Sequence, residues 1–320
     1  RGAPHQERAH RAVRPAAQRQ GAAQAAAHRH APPKQPARAF FVCSLSFLHG
    51  EKPHAVFVVG THHYSPQKSM PMLASEIERL GFKTTVINPD WDPEKDKRGL
   101  PVLEALKKAD LAIFYTRFLK IDDQQLVHIT DYLKSGKPVV GFRTSTHGFN
   151  YPDEHPNQKW NDGFGRDALG SPYRIHLSGP TRLKVEQGRE KHPVFTGVQA
   201  DKNWESRGTL YLTKLEKGTT PLLLGTGHPR DKKASVRTNR FGTHHLEPEM
   251  TDVVAWTWTN KWGGRTFSTS LGHLNDFGDT NSIRFIINGI FWAADQKVPS
   301  ADVKINTFEI TSSKKKKKSK

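Results

Sequence analysis

Between His54 and Phe142 short apolar runs alternate with segments of helical period. Ala55-Val-Phe-Val-Val-Gly60 is a continuous apolar run closed by glycine, the pattern of a strand buried on both faces. Met72, Leu73, Ile77 and Leu80 then recur at helical spacing, with Pro71 in the first turn and Gly81 after the last. Thr84–Ile87 predicts a second strand, Pro101–Lys108 a short helix with Leu103 and Leu106 inward, and Leu111–Tyr115 a third strand. Asp122 caps the next helix with Gln125 three residues on; Leu126, Ile129 and Leu133 form its stripe and Gly136 ends it. Pro138–Phe142 is a fourth strand. Repeated strand–helix units of this length predict a parallel sheet with helices on both faces.

The second half is less regular. Residues 150–180 are rich in Gly, Pro, Asn and Asp and read as a long loop or insertion. Short strands are expected near Arg182–Val185, Thr209–Leu212 and Pro221–Leu224. A strand pair follows, Val253–Thr259 and Arg265–Ser270, and then a final helix from about Asn281 that buries Ile283, Ile286, Ile287, Ile290 and Phe291. The pattern as a whole predicts a flavodoxin-like three-layer α/β/α sandwich with a mostly parallel central sheet and a loop-rich insertion.

Charge changes the picture at the two ends only. The 320 residues carry a formal charge of +18, of which residues 1–38 supply +7 and the lysines of residues 312–320 supply +6. The remaining body is nearly balanced and has no basic helix or aromatic RNA-binding signature, so a nucleic-acid partner is not expected. Residues 1–38 hold twelve Ala and no Ile, Leu, Phe, Met, Tyr or Trp, and are expected to be disordered, as are residues 312–320. Lys34 and Arg38 precede the apolar run Ala39–Leu48, so residues 39–50 read as the hydrophobic region of a signal peptide and the chain as periplasmic or secreted, with a cytoplasmic location as the alternative. Residues 51–311 form the folded domain. No run approaches the roughly 20 apolar residues of a membrane-spanning helix. The single cysteine, Cys43, excludes a disulfide scaffold. Homo-oligomerisation is left open by the sequence.

Ligands of doubly wound sheets bind beyond the carboxyl ends of the strands. Four ends carry Gly60-Thr-His-His-Tyr64, Thr116-Arg117, Gly141-Phe-Arg-Thr-Ser-Thr-His147 and Thr269-Ser-Leu-Gly-His-Leu-Asn-Asp276. His62, His63, His147 and His273 suit acid–base chemistry or a divalent metal such as zinc, although their spacing fits no standard metal motif. Asp276 is placed to orient His273 or to act as a base. Arg117 and Arg143 offer donor forks for carboxylates or sugar hydroxyls. Tyr64, Thr144 and Trp258 are expected to line the same pocket. Trp256, Trp262, Tyr151 and Trp160 add to an aromatic density suited to sugar faces, with one of Trp256 and Trp258 packing in the core. Ser145 lacks the glycines of a nucleophile elbow, and His244-His245 is expected in a solvated charged loop.

The ordered series, together with Gly136–Phe149, His192–Val198 and Asn288-Gly-Ile-Phe-Trp-Ala-Ala294, resembles the ThuA-like family. That family is named for trehalose utilisation and is related in fold to class I glutamine amidotransferases. The resemblance spans roughly His54 to Gln296 and implies a small-molecule carbohydrate ligand, a disaccharide or keto-glycoside. It implies a hydrolase, lyase or isomerase, with catalysis by His273, Asp276 and His147. Binding would fall to His62, His63, Tyr64, Arg117, Arg143, Thr144 and Trp258. A non-catalytic sugar-binding protein is the alternative. Amidotransferases of this fold carry a nucleophilic Cys at the turn where Arg143 stands, and many ThuA-like members carry Gly-x-His there, so Arg143 departs from both. Glutamine hydrolysis through a thioester is excluded.

Overall fold

A computed structural model describes residues 51–200 and 203–311; the expected signal segment, Cys43 and both expected disordered tails lie outside the described residues. Four strands, β1 (His54–Gly60), β2 (Lys83–Ile87), β3 (Leu111–Thr116) and β4 (Val139–Phe142), pair in parallel in the order β2-β1-β3-β4, as the apolar runs predict. Further along come β5 (Ile175–His176), β6 (Ser178–Val185), β7 (Glu205–Ser206), β8 (Tyr211–Leu212) and β9 (Thr220–His228). The last are β10 (Ser235–Asn239), β11 (Gly242–Leu246), β12 (Met250–Thr259) and β13 (Arg265–Thr269). Strand β13 joins β4 in parallel, and β12, β9, β6 and β7 continue the same nine-stranded sheet antiparallel. The expected loop-rich segment, residues 150–180, leads into this antiparallel flank at β6.

Strand alternation divides the core into two layers. Ala55, Phe57 and Val59 face one cluster, completed by helix α1 (Pro66–Arg79) and by the C-terminal helix, Thr280–Ala293. Val56 and Val58 face the other, with Leu103 and Leu106 of a 3-10 turn and Leu126, Ile129 and Leu133 of helix α2 (Asp123–Lys134). Asp122 caps α2 by accepting from the Gln125 amide at 2.8 Å. Helix α1 starts earlier than its periodicity suggests, at Pro66, so Met70, Leu73, Ala74 and Ile77 form its buried face while Met72 is exposed. The insertion is also more structured than its composition implies. It contains a short helix α3 (Trp160–Gly163) and the two-residue strand β5; farther along the chain, the β10–β11 hairpin pairs Arg237 with His244 and Val236 with His245. The two histidines thus lie on a strand rather than in a loop.

The C-terminal helix, α4, is capped by Asp279, whose side chain accepts from the Ser282 amide at 2.7 Å. Its Gly289 lies directly on the Phe267 ring of β13, and a Cβ there would overlap that ring. Close helix–sheet approach therefore explains a glycine inside a helix that it would otherwise weaken. Gly289→Ala is expected to destabilise by about 1–3 kcal/mol despite alanine's better helix propensity. A thermal melt checks this, and an unchanged midpoint would mean that Phe267 simply swings aside.

Candidate functional site

Because β1, β3, β4 and β13 run in parallel, their carboxyl ends deliver Thr61–Tyr64, Thr116-Arg117, Arg143–His147 and Ser270–His273 to one rim. The turn after β4 is sharp. Arg143 adopts φ +40, a left-handed conformation that costs a non-glycine residue about 1 kcal/mol. Two residues on, Ser145 accepts from the Thr116 amide at 3.0 Å and donates to the Phe114 carbonyl at 2.9 Å. Its side chain thereby extends the β3–β4 ladder past Gly141. That hydroxyl is held by backbone groups on both sides.

The loop after β13 is fixed by a buried carboxylate. Asp276 Oδ2 accepts from the amides of Gly272 at 2.8 Å and His273 at 2.9 Å, and Oδ1 accepts from the Ser206 hydroxyl at 2.7 Å. From β3, Tyr115 donates its hydroxyl to the Gly272 carbonyl at 3.0 Å. Gly272 sits at φ +108 with the Phe142 ring where a Cβ would go, so glycine is required. Burial pushes the Asp276 carboxyl up, and the Arg143 charge, Ser206 and the two amides oppose this without cancelling it. Asp276 therefore positions the His273 loop through its backbone; it does not bond the imidazole.

Arg143 is 1 % exposed. One guanidinium nitrogen donates to the Ser270 carbonyl and the other to the Thr209 hydroxyl at 3.2 Å. The cation lies 4.3 Å from the Tyr64 ring centroid and 5.3 Å from that of Tyr211. Gly208 leaves space for it, since a Cβ there would stand 2.5 Å from the guanidinium. The Nε atom alone has no partner.

Above this buried cation is a half-open lip. The Tyr64 ring meets His63 edge-on at 4.3 Å and His273 at 5.6 Å. Burial pushes the Tyr64 phenol up, but the Arg143 charge and hydrogen bonding with Thr209 and Arg143 outweigh it and bring it below its usual range. The His273 imidazole is lowered to about 4 by burial and by the Arg143 and Arg207 charges. His63, the more exposed of the two, is lowered to about 4 by partial burial and the charges of Arg117, Arg143 and Lys95. Both rings are uncharged at neutral pH. Behind His63, Thr61 donates to Glu94 at 2.7 Å, Glu94 pairs with Arg117, and Asp92 accepts from the His62 amide at 3.1 Å.

His147 belongs to an adjoining aromatic wall. It is buried and touches Tyr173 at 4.2 Å, Phe118 at 5.1 Å and Tyr211 at 6.0 Å. Burial first, and then the charges of Arg117 and Arg240, hold its imidazole well below the usual range. The wall continues through Tyr173, whose hydroxyl meets His176 Nδ1 at 2.6 Å.

A protein-family model described as ThuA, trehalose utilisation, matches residues 55–293. The chain belongs to the ThuA family. Two solved ThuA-like proteins, from Bacteroides uniformis ATCC 8492 and Parabacteroides merdae ATCC 43184, are each 16% identical to it. The first covers 76% of this chain and 93% of its own length at a TM-score of 0.49; the second covers 77% and 92% at 0.48. No curated protein matches the chain.

Within the ThuA domain the rim brings together His62, His63, Tyr64, Arg117, Arg143, Thr144, His147, His273 and Asp276. Tyr64 is the shared neighbour of Arg143 and His273. Trp258 is not among them. Strand β12 runs antiparallel to β13 and sets Trp258 opposite Thr266, which lies beside Val139 at the amino ends of the parallel strands. Its indole donates to the Lys217 carbonyl at 3.2 Å, far from the rim. Trp256 packs in the interior and donates to the Leu169 carbonyl at 2.7 Å. Trp160 stacks on Trp262 of the β12–β13 turn, and Tyr151 is buried against Phe149. Among the described residues no three His, Cys, Asp or Glu side chains are grouped to hold a metal ion, so the histidines of the rim do not form the zinc-type donor set considered for them. No described helix is long and apolar enough to cross a membrane. Residues not anticipated at the rim are Asp92, Glu94, Ser206, Thr209, Tyr211, Tyr173 and His176. The acidic pair follows β2, whose carboxyl end the same topological rule covers.

Proposed function

We propose that this ThuA-family chain handles a carbohydrate at the lip formed by His63, Tyr64 and His273, by proton transfer and without a covalent nucleophile. One observation carries the reading: an aromatic face flanked by two uncharged imidazoles stands at the solvent edge of a largely hydrogen-bonded polar scaffold. A sugar ring stacks on such a face, and neutral imidazoles both donate to and accept from its hydroxyls. A deprotonated His63 or His273 can take a proton, and the Tyr64 phenol beside Arg143 can return one. This is the chemistry of a lyase or isomerase step on a keto-glycoside. A two-carboxylate hydrolysis is less well served, because Asp92, Glu94 and Asp276 are all engaged in structural bonds. Imidazoles lowered to about 4 are weak bases, which favours a non-catalytic sugar-binding protein as the second reading.

Turnover of trehalose, sucrose and their 3-keto derivatives by His63→Ala, His273→Ala and Tyr64→Phe separates the two. For an enzyme, kcat is expected to fall about 100-fold or more in at least one histidine variant. For a binder only affinity changes. Unaltered binding and turnover in all three variants would remove the lip from consideration.

A further inference from the structure

Next to the lip, between the β5–β6 segment and the β10–β11 hairpin, lies an open cavity of about 810 Å³. His176, Thr209, Arg230, Asp231, Ser235 and Arg237 supply its polar lining. We propose that this cavity binds an anionic group, a carboxylate or a phosphate, and so selects an acidic carbohydrate as the ligand of the neighbouring lip. The second half of that statement rests on the carbohydrate reading; the anion site itself does not.

Two guanidinium groups line the cavity against one carboxylate, and neither Arg230 nor Arg237 enters an ion pair among the described residues. Arg98, Arg117, Arg174, Arg182 and Arg265 all have carboxylate partners. The Asp231 carboxylate turns to its own loop and accepts from the Lys233 amide at 3.2 Å. Arg237 reaches the His176 carbonyl at 3.4 Å, which leaves most of its donor fork free. A guanidinium with free donors is the side chain best shaped to grip a planar carboxylate or a phosphate. Concave walls focus the field of such charges on whatever enters. Further cations border the same rim: Arg240 lies over Phe118 and Phe241, and Arg117 also lies over Phe118. Burial first, and then the charges of Arg237, Arg143 and Arg117, lower the basicity of His176, so it adds no second carboxylate-like partner for the arginines.

Two lining side chains link the cavity to the residues beneath and beside the lip. Thr209 lines the cavity and also accepts from Arg143, beneath Tyr64. His176 lines it and bonds Tyr173, the neighbour of His147. A cavity of this size exceeds what one phosphate needs and is within the range that holds a sugar-sized ligand. A ligand with its ring on Tyr64 and an acidic substituent between Arg230 and Arg237 would occupy both.

Calorimetric titration of the full chain with glucose, glucuronate, glucose 6-phosphate and inorganic phosphate, at about 50 mM salt, tests this. Glucuronate or glucose 6-phosphate is expected to bind at least about tenfold more tightly than glucose. The preferred acid distinguishes a carboxylate site from a phosphate site. Arg230→Ala/Arg237→Ala, at two exposed positions, should abolish that advantage and leave glucose unchanged. Acids that bind no better than glucose, or an advantage that persists in the double variant, overturn the proposal. Inorganic phosphate bound and then lost in the double variant, with no sugar bound by either protein, upholds the anion site and overturns the carbohydrate reading instead.

Discussion

Arg143→Ala is expected to lower the unfolding free energy by about 3–5 kcal/mol, the range of large-to-small core replacements that also orphan a polar group. Its side chain fills the space between the Tyr64 and Tyr211 rings and supplies the donor to the Ser270 carbonyl. Removing it leaves that buried carbonyl without its donor and takes from the Thr209 hydroxyl one of its partners, Tyr64 being another. It also removes the nearest positive field from Asp276, whose buried carboxylate then has only its hydrogen bonds to hold its charge. Arg143→Gly isolates the backbone contribution. At φ +40, glycine should recover about 1 kcal/mol relative to alanine. Arg143→Met keeps most of the volume and should lie between alanine and the native protein. Urea unfolding with a constant m-value gives all three numbers. A loss below about 1 kcal/mol for alanine would mean that the guanidinium is not the keystone of the rim.

The parallel half of the fold was legible in the sequence chiefly because its inner strands β1, β3 and β4 are buried on both faces. Ala55–Gly60 and Leu111–Thr116 are continuous apolar runs for that reason, and no other element could bury them. The antiparallel flank lacks that signature. Ser235–Asn239 offers one apolar residue, Val236, which is 60 % exposed, so no period marks it as a strand, and His244-His245 beside it reads as a loop. At the rim, topology alone assembled the histidines, Arg143 and the β13 loop from four segments far apart in sequence. Asp92 and Glu94 were missed, although the same rule applied to the end of β2 would have found them. Ser206, Thr209 and Tyr211 were not legible, because they reach the rim from short strands and turns whose path no periodicity records. Trp258 failed on direction. Its alternation correctly placed it on the same face as Trp256, both lying over Gly170, but sequence period is blind to whether a strand runs toward the rim or away from it.

Stability is expected to fall as pH drops from about 6.5 toward 4, with buried histidines as the cause. His147 is held well below its usual range, and His63 and His273 are lowered to about 4. In the unfolded chain each binds a proton near pH 6.5, while in the native state each stays neutral until the pH falls much further. The unfolded state therefore binds more protons throughout this window, and the stability present above 6.5 is lost on acidification. His63 is partly open to water, so its share is reduced by screening; His147 is enclosed and supplies a full proton. The raised carboxyl of Asp276 acts in the opposite sense: its native form takes a proton before its unfolded form does, so it gains stability as the pH falls. It opposes the histidines without matching their number. Replacing His147 with Gln removes one proton from the difference, and the slope of stability against pH between 6 and 5 should flatten by about 1.4 kcal/mol per pH unit. Unfolding free energies of the two proteins at pH 7, 6 and 5 decide the matter. Parallel slopes would mean that His147 is protonated in the folded protein and that the aromatic wall around it admits a charge.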